Sequence, residues 1–530
     1  MIAETTRSAG VHPWIPDQGD GTFCNPILWA DYSDPDVIRH GDDFYLTASS
    51  FTCAPGLPIL HSRDLVNWTL VNHALSRLPD ARYNQVWHGG GVWAPSLRFH
   101  DGRFWIFFST PDEGIYVTTA VDPRGVWAEP RLLQAGRGLI DPCPLWDDDG
   151  RAYLVHAFAY SRAGIRDRLR ICPMEPDVSR LLGEGRIVFH APERHPIIEG
   201  PKLFKRDGWY YILAPAGGVA TGWQVALRSR DIFGPYEDRI VLEQGGSAVN
   251  GPHQGALIDL PGGRSWFIHF QDTGPYGRIV HLQPVRWRGG WPLMGRDADG
   301  NGVGEPVSAA PKPDLPAQPV AVPATSDEFD TPSLARPWQW QANPAAGWHS
   351  LTARPGCLRL HAQPVADENL YHAPHLLLQK FPARAFTVTA RIDPRHLEPG
   401  DTAGLIVFGE DYAWVGLRCD EVPVFAGQAV RAACAQPIVS DAIVTSRPKG
   451  AAWLRVTVGE GARCVFSCST DGRRFTPVGE LFEARAGRWV GAKVGLFCAR
   501  PEDHGGGFAD FDWFRFSPPV AGHPLSLSVP

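Results

Sequence analysis

Five positions in the first half of this chain invite a chemical reading: Asp34, Ala94, Asp141, Glu199 and Gln254. Each lies 11 or 12 residues before the centre of an aromatic triplet, at Tyr45, Trp105, Tyr153, Tyr211 and Trp266. Three of the five are carboxylic acids. An ionised carboxylate takes a proton from water, and a carboxyl that keeps its proton gives it to a leaving oxygen, so two acids in unlike surroundings supply both halves of a hydrolysis. Gathering acids costs stability, because like charges raise one another's pKa, and enzymes accept that cost to separate an acid from a base. Taken singly, Asp34 and Asp141 each precede a proline and would only start a turn.

The elements that must position these residues repeat. Phe44-Tyr45-Leu46, Phe104-Trp105-Ile106, Ala152-Tyr153-Leu154, Tyr210-Tyr211-Ile212 and Ser265-Trp266-Phe267 each follow a turn: Gly41-Asp42, Asp101-Gly102, Asp149-Gly150, Asp207-Gly208 and Gly262-Gly263. The central aromatics are 60, 48, 58 and 55 residues apart. Units of short strands at that period predict an all-β, five-bladed β-propeller. The innermost strand of every blade lines the central channel, so the five positions converge on the axis. Residues 197–213 then read as a hairpin with Glu199 at its entrance.

The chain has 530 residues, enough for two or more domains, with 44% hydrophobic and 20% charged residues, as in an ordinary globular protein. A net charge of −7 argues against a nucleic-acid partner and leaves neutral partners such as sugars. No run of about 18 apolar residues offers a membrane span. Residues 1–21 carry no leader-like segment, so a cytoplasmic location is expected. The ten cysteines are dispersed; Cys464 and Cys468 have no second pair or histidine cluster to complete a zinc pattern, and the set reads as reduced thiols. Asp297-Ala298-Asp299-Gly300-Asn301-Gly302 matches the first half of an EF-hand loop, but its twelfth position is Ser308 and not Glu, so it reads as a turn.

Six prolines fall between Pro306 and Pro323, a stiff connector. Beyond it, alternating segments such as Leu358-Arg359-Leu360, Phe386–Thr389, Gly404–Phe408, Trp414–Leu417, Trp453–Val456 and Lys493–Phe497 predict an antiparallel β-sandwich. The expected organisation is an extension over 1–22, the propeller over 23–305, a linker over 306–324 and the sandwich over 325–530.

The order Asn25-Pro26-Ile27-Leu28, Ser33-Asp34-Pro35-Asp36, Ser49-Ser50-Phe51, Asp64–Trp68, Val92-Trp93-Ala94-Pro95, Asp141-Pro142, Asp147–Gly150 and Glu199-Gly200-Pro201 resembles glycoside hydrolase family 43, with its β-xylosidases and α-L-arabinofuranosidases. The resemblance implies inversion at the anomeric carbon, with Asp34 as general base, Glu199 as general acid and Asp141 orienting the acid and tuning its pKa. The residue types agree: an inverting hydrolase needs one carboxylate to activate water and one protonated carboxyl on the opposite face.

The resemblance also implies that Arg278 holds sugar hydroxyls; the residue-level alternative is a surface arginine over Tyr276. His253 stands where relatives place an axial histidine that in some contacts calcium or its water shell, and a hydrogen-bonded structural histidine is the alternative. No cofactor is required; a structural calcium near the axis is the one metal in view. Lys202 stands where relatives often have histidine. Phe51 and Trp93 offer an apolar wall for a sugar ring, with Trp29 and Trp87 as weaker candidates.

The C-terminal part resembles the lectin-like domain that accompanies xylosidase members. It is expected either to bind sugar or, through a loop such as Pro501–Gly507, to close the pocket. The expected activity is exo-acting release of terminal xylose or arabinofuranose from plant oligosaccharides. A non-catalytic sugar-binding protein on the same scaffold is the alternative. No membrane or nucleic-acid partner is expected, and a homo-oligomer is left open.

Overall fold

The computed structural model describes residues 12–431, 438–444, 448 and 450–519; residues 1–11 of the expected N-terminal extension and Cys434 lie outside them. Pro16–Pro323 form one compact unit, and the described residues from Ala324 onward belong to a second.

The first unit opens with β1 (Thr22–Cys24) and continues as five antiparallel four-stranded sheets in chain order. Blade one holds β2 (Asp36–His40), β3 (Asp43–Thr47), β4 (Gly56–Ser62) and β5 (Thr69–Leu75). Blade two holds β6 (Trp93–His100), β7 (Arg103–Thr110), β8 (Gly114–Ala120) and β9 (Arg131–Ala135). Blade three holds β10 (Leu139–Trp146), β11 (Ala152–Phe158), β12 (Arg168–Met174) and β13 (Arg186–His190). Blade four holds β14 (Lys202–Arg206), β15 (Trp209–Ala216), β16 (Trp223–Ser229) and β17 (Glu237–Leu242). Blade five holds β18 (His253–Asp259), β19 (Ser265–Asp272), β20 (Arg278–Arg288) and β21 (Trp291–Met294). The aromatic triplets are the second strands, and the Asp/Gly pairs are the turns that enter them.

Why those strands are apolar on both faces follows from the pleat, whose side chains alternate between the two neighbouring blades. Tyr45 packs toward blade two with Leu97, Phe104 and Ile106, whereas Phe44 and Leu46 pack toward blade five with Trp266, Ile268 and Val280. The same alternation sends Phe107 to blade three and Ile106 back to blade one. It also sends Leu213 to blade five and Ile212 back to blade three. Each of the five clusters fills one blade-to-blade seam, and burying one large apolar side chain there contributes about 1.5–3 kcal/mol before entropy is counted.

The ring closes through the N-terminal segment: the Ile27 N–H donates to Val280 O at 2.8 Å and the Val280 N–H to Leu28 O at 3.1 Å. The proline-rich stretch is held against this same unit. Its strand Ala309–Pro311 pairs with β1, Lys312 Nζ lies 2.6 Å from Asp17 and 2.9 Å from Asp64, and the Ala321 N–H donates to Asn67 Oδ1.

The second unit is a sandwich of two eight-stranded sheets. One sheet carries Thr402–Phe408, Tyr412–Cys419 and Lys493–Arg500; the other carries Phe386–Asp393, Ala452–Gly459 and Phe508–Ser517. Among the described residues no helix is long and apolar enough to cross a membrane.

Candidate active site

Proline shapes the inner strands where they begin. Pro95 and Pro142 lack an N–H, and the β6–β7 and β10–β11 registers skip there, between Trp93 and Ser96 and between Ile140 and Cys143. Such bulges re-aim a side chain. Asp34, Ala94 and Asp141, each before a proline, adopt left-handed φ values of 53°, 32° and 58°. A non-glycine residue in that region costs of order 1–3 kcal/mol and persists only where its surroundings over-determine it.

Asp34 is buried and surrounded by donors. Its Oδ2 accepts from Ser33 Oγ at 2.7 Å and from Ser49 Oγ at 2.6 Å, and Arg278 Nη1 lies 3.1 Å from Oδ1. Ser49 Oγ in turn accepts the Ala94 N–H at 2.7 Å, so blade two fixes the serine that fixes the aspartate. Arg278 is not the surface residue of the alternative reading: it is buried, its guanidinium stacks over Phe270 at 4.9 Å, and its backbone N–H donates to Asp31 Oδ1 at 2.9 Å. Gly277, with φ 74°, lets Asp31 approach, since a Cβ there would stand 2.5 Å from the Asp31 carboxyl carbon.

Glu199 sits at the turn into blade four. Its N–H donates to Pro215 O at 3.1 Å, and the next N–H, of Gly200, donates to Asp141 Oδ2 at 2.8 Å. Burial, and after it the charge of Asp141, pushes the Glu199 carboxyl up to about 8. With its side chain still 28% exposed, water tempers that rise without reversing it. Burial also raises Asp141, to about 7, opposed by the Gly200 N–H and the charge on Lys202. Hydrogen bonding to the ionised form favours that form, so the proton shared between these two acids belongs on Glu199.

Of the remaining candidates, His253 touches this core. His253 Nε2 lies 3.5 Å from Glu199 Oε1. Burial first, then the charge of Arg278, drives its imidazole down to about 3, so the contact is one between a neutral ring and a carboxyl and not an ion pair. Neither His253 nitrogen makes a hydrogen bond among the described residues. Calcium takes six to eight oxygens, and among the described residues no group of three or more His, Cys, Asp or Glu side chains is arranged to hold a metal. An imidazole nitrogen does not match that preference for oxygen, so His253 would meet such an ion through its water shell.

Phe51 and Trp93 meet at 6.4 Å between ring centroids, and Arg162 lies over Trp93 at 5.7 Å while tied to Asp112 at 3.1 Å. Trp29 packs edge-on to Tyr276. Trp87 is 47% exposed, with Arg82 over its ring. Lys202 is buried and donates to Pro95 O and Ser96 Oγ, both at 2.8 Å, so its charge ties blade four to blade two. Next to it, Asp36 Oδ2 accepts from the Leu97 N–H and from Arg98 Nη1 at 2.7 Å.

Sequence reasoning missed the roles of Ser33, Ser49, Asp31 and Arg98. Ser33 and Ser49 stand within the ordered motifs, but nothing in spacing alone tells a serine that holds an acid from one that ends a strand.

Gly91 shows how tightly the segment around Phe51 is built. A Cβ at Gly91, whose φ is 81°, would stand 2.1 Å from Phe51 O, across the bridge in which Phe51 and Val92 exchange hydrogen bonds of 2.9 Å. Gly91→Ala is expected to lower folding stability by about 2–3 kcal/mol, measured by urea unfolding, and to lose activity as Phe51 moves.

A propeller whose axis gathers one donor-saturated carboxylate and a pair of acids that share a proton defines a glycoside hydrolase of the acid–base type. Residues 23–292 match the glycosyl hydrolases family 43 profile, and residues 326–517 match the beta xylosidase C-terminal concanavalin A-like domain. The chain belongs to glycosyl hydrolase family 43. It is 41% identical, over 90% of its own length and 86% of the other's, to a Xylanibacter ruminicola chain named for beta-xylosidase activity. It is 29% identical to a non-reducing end alpha-L-arabinofuranosidase of Bacteroides ovatus, covering 93% of this chain and 94% of that one. The crystal structure of xylan beta-1,4-xylosidase from Bacillus halodurans superposes with a TM-score of 0.81 at 26% identity, covering 93% of this chain and 99% of that one.

Proposed function

We propose that this hydrolase removes terminal β-xylosyl residues, and α-L-arabinofuranosyl residues where the pocket admits them, from plant oligosaccharides, with inversion. Asp34 takes the proton of a water as its oxygen attacks the anomeric carbon. Glu199 gives its proton to the departing glycosidic oxygen, and the bond from that oxygen to the anomeric carbon breaks. Asp141 accepts the Gly200 N–H and, by its charge, keeps the proton on Glu199. Arg278 holds Asp34 in place beside the sugar, and Phe51 and Trp93 supply the apolar wall. Carboxyls of this pair stand about 6.5–9.5 Å apart in inverting enzymes, leaving room for the water.

The observation that carries this reading is the contrast between two acids on one axis: Asp34 accepts from three side chains, while Glu199 is held protonated toward neutrality. A scaffold that only bound sugar would be served by hydroxyls and amides, without an acid kept in its costly neutral form. The relatives' names support both sugars. Release of nitrophenol from the β-D-xylopyranoside and the α-L-arabinofuranoside ranks the two; activity on neither would sink the proposal. Because Glu199 must carry its proton, kcat/KM is expected to fall tenfold per pH unit on the alkaline side of a limb near pH 8. A pH–rate profile that keeps rising through pH 9 would remove Glu199 as the acid.

A further inference from the structure

A fourth carboxylate bears on the proton donor. Asp167 ends the β11–β12 loop of blade three in a left-handed conformation (φ 62°), with a side chain 16% exposed and Arg166 Nε 3.3 Å from its Oδ2. Its Oδ1 accepts the backbone N–H of Ile197. Ile197 is itself left-handed, at φ 55°, a genuine outlier for a β-branched residue that must be held by its surroundings. What holds the turn is a short series of bonds: Pro196 O accepts the Gly217 N–H at 2.7 Å, Asp167 takes the Ile197 N–H, Pro215 O takes the Glu199 N–H, and Asp141 takes the Gly200 N–H. Two of the four acceptors are aspartates of blade three, one on each side of Glu199.

We propose that Asp167 is a positioning residue for the proton donor: together with Asp141 it clamps the strained turn that carries Glu199 and so aims the acid at the leaving oxygen. Asp167 also adds negative charge. After burial, the charge of Asp141 raises the Glu199 carboxyl, that of Arg278 lowers it, and those of Asp34 and Asp167 raise it further, while the imidazole of His253 stands 3.5 Å away. The inference rests on the reading of Glu199 as general acid.

Three variants of the full chain test it, each assayed on xylobiose, whose leaving group needs a proton, and on 2,4-dinitrophenyl β-D-xylopyranoside, whose leaving group does not. Asp167→Ala is expected to lower kcat on xylobiose by about 10–100-fold, with KM little changed and the dinitrophenyl substrate within about threefold of wild type. Asp167→Asn keeps an acceptor for the Ile197 N–H and is expected to restore xylobiose turnover to within about threefold of wild type, with its alkaline limb moved to lower pH because the charge is gone. The proposal is overturned if Asp167→Ala slows both substrates equally or neither, if Asp167→Asn is as poor as the alanine variant, or if its alkaline limb does not move. Glu199→Gln separates the two readings: if it shows no difference between the substrates, the assignment of Glu199 fails. If it shows the difference and Asp167→Ala does not, only the clamp fails.

Discussion

Glu199→Gln is expected to slow hydrolysis of xylobiose by about 10²–10⁴-fold while leaving the dinitrophenyl glycoside far less affected. The amide preserves shape and the contact with His253 but has no acidic proton to give. A dinitrophenolate departs without one, so the loss on that substrate measures only disturbed geometry. The same variant carries a stability signature. Folded Glu199 keeps its proton up to about pH 8, whereas an unfolded glutamate loses it near the ordinary value of 4.5. Wild-type folding is therefore favoured by this group at low pH and loses that contribution progressively as pH rises through the folded pKa. The amide of the variant does not ionise in either state and is spared that loss. Thermal melts should show Glu199→Gln gaining on wild type as pH climbs from about 5 to 9. A variant that loses on both substrates alike, with no pH-dependent change in Tm difference, would contradict the role.

Asp34→Asn is expected to behave differently, losing at least about 10³-fold on every substrate, because water must be deprotonated whatever leaves. The change also strips Arg278 of its buried counter-charge, at a cost of about 1–3 kcal/mol in folding stability. Circular dichroism at the assay temperature separates an unfolded variant from a folded, inactive one. Substantial turnover of the dinitrophenyl substrate by folded Asp34→Asn would place the base elsewhere.

How far the sequence foretold this site depended on what kind of feature was being read. The five aromatic strands were legible because each packs on two neighbouring blades, which writes an unbroken apolar stretch after an Asp/Gly turn, as at Tyr210–Ile212. The axial positions were legible because they keep a fixed distance from those aromatics. The donors that tune the acids were not. Ser49 and Ala94 meet only because two blades close side by side, and their separation of 45 residues leaves no periodic trace. Asp167 was hidden for a different reason: in Arg166-Asp167-Arg168 it looks like any solvated turn, and its contact with Ile197 crosses from blade three to blade four. Arg278 shows the reverse case. Its importance was implied by resemblance, while its first structural partner, the carboxylate of Asp34, appears only in three dimensions.

Stereochemistry probes the site most directly, since a base acting on water from one face and an acid acting on the leaving group from the other can only invert. Proton NMR of the sugar released from a β-xyloside in the first minutes, before mutarotation, should show the α-anomer of xylose as the initial product. Initial formation of the β-anomer would mean retention through a covalent intermediate, and would contradict the division of labour between Asp34 and Glu199.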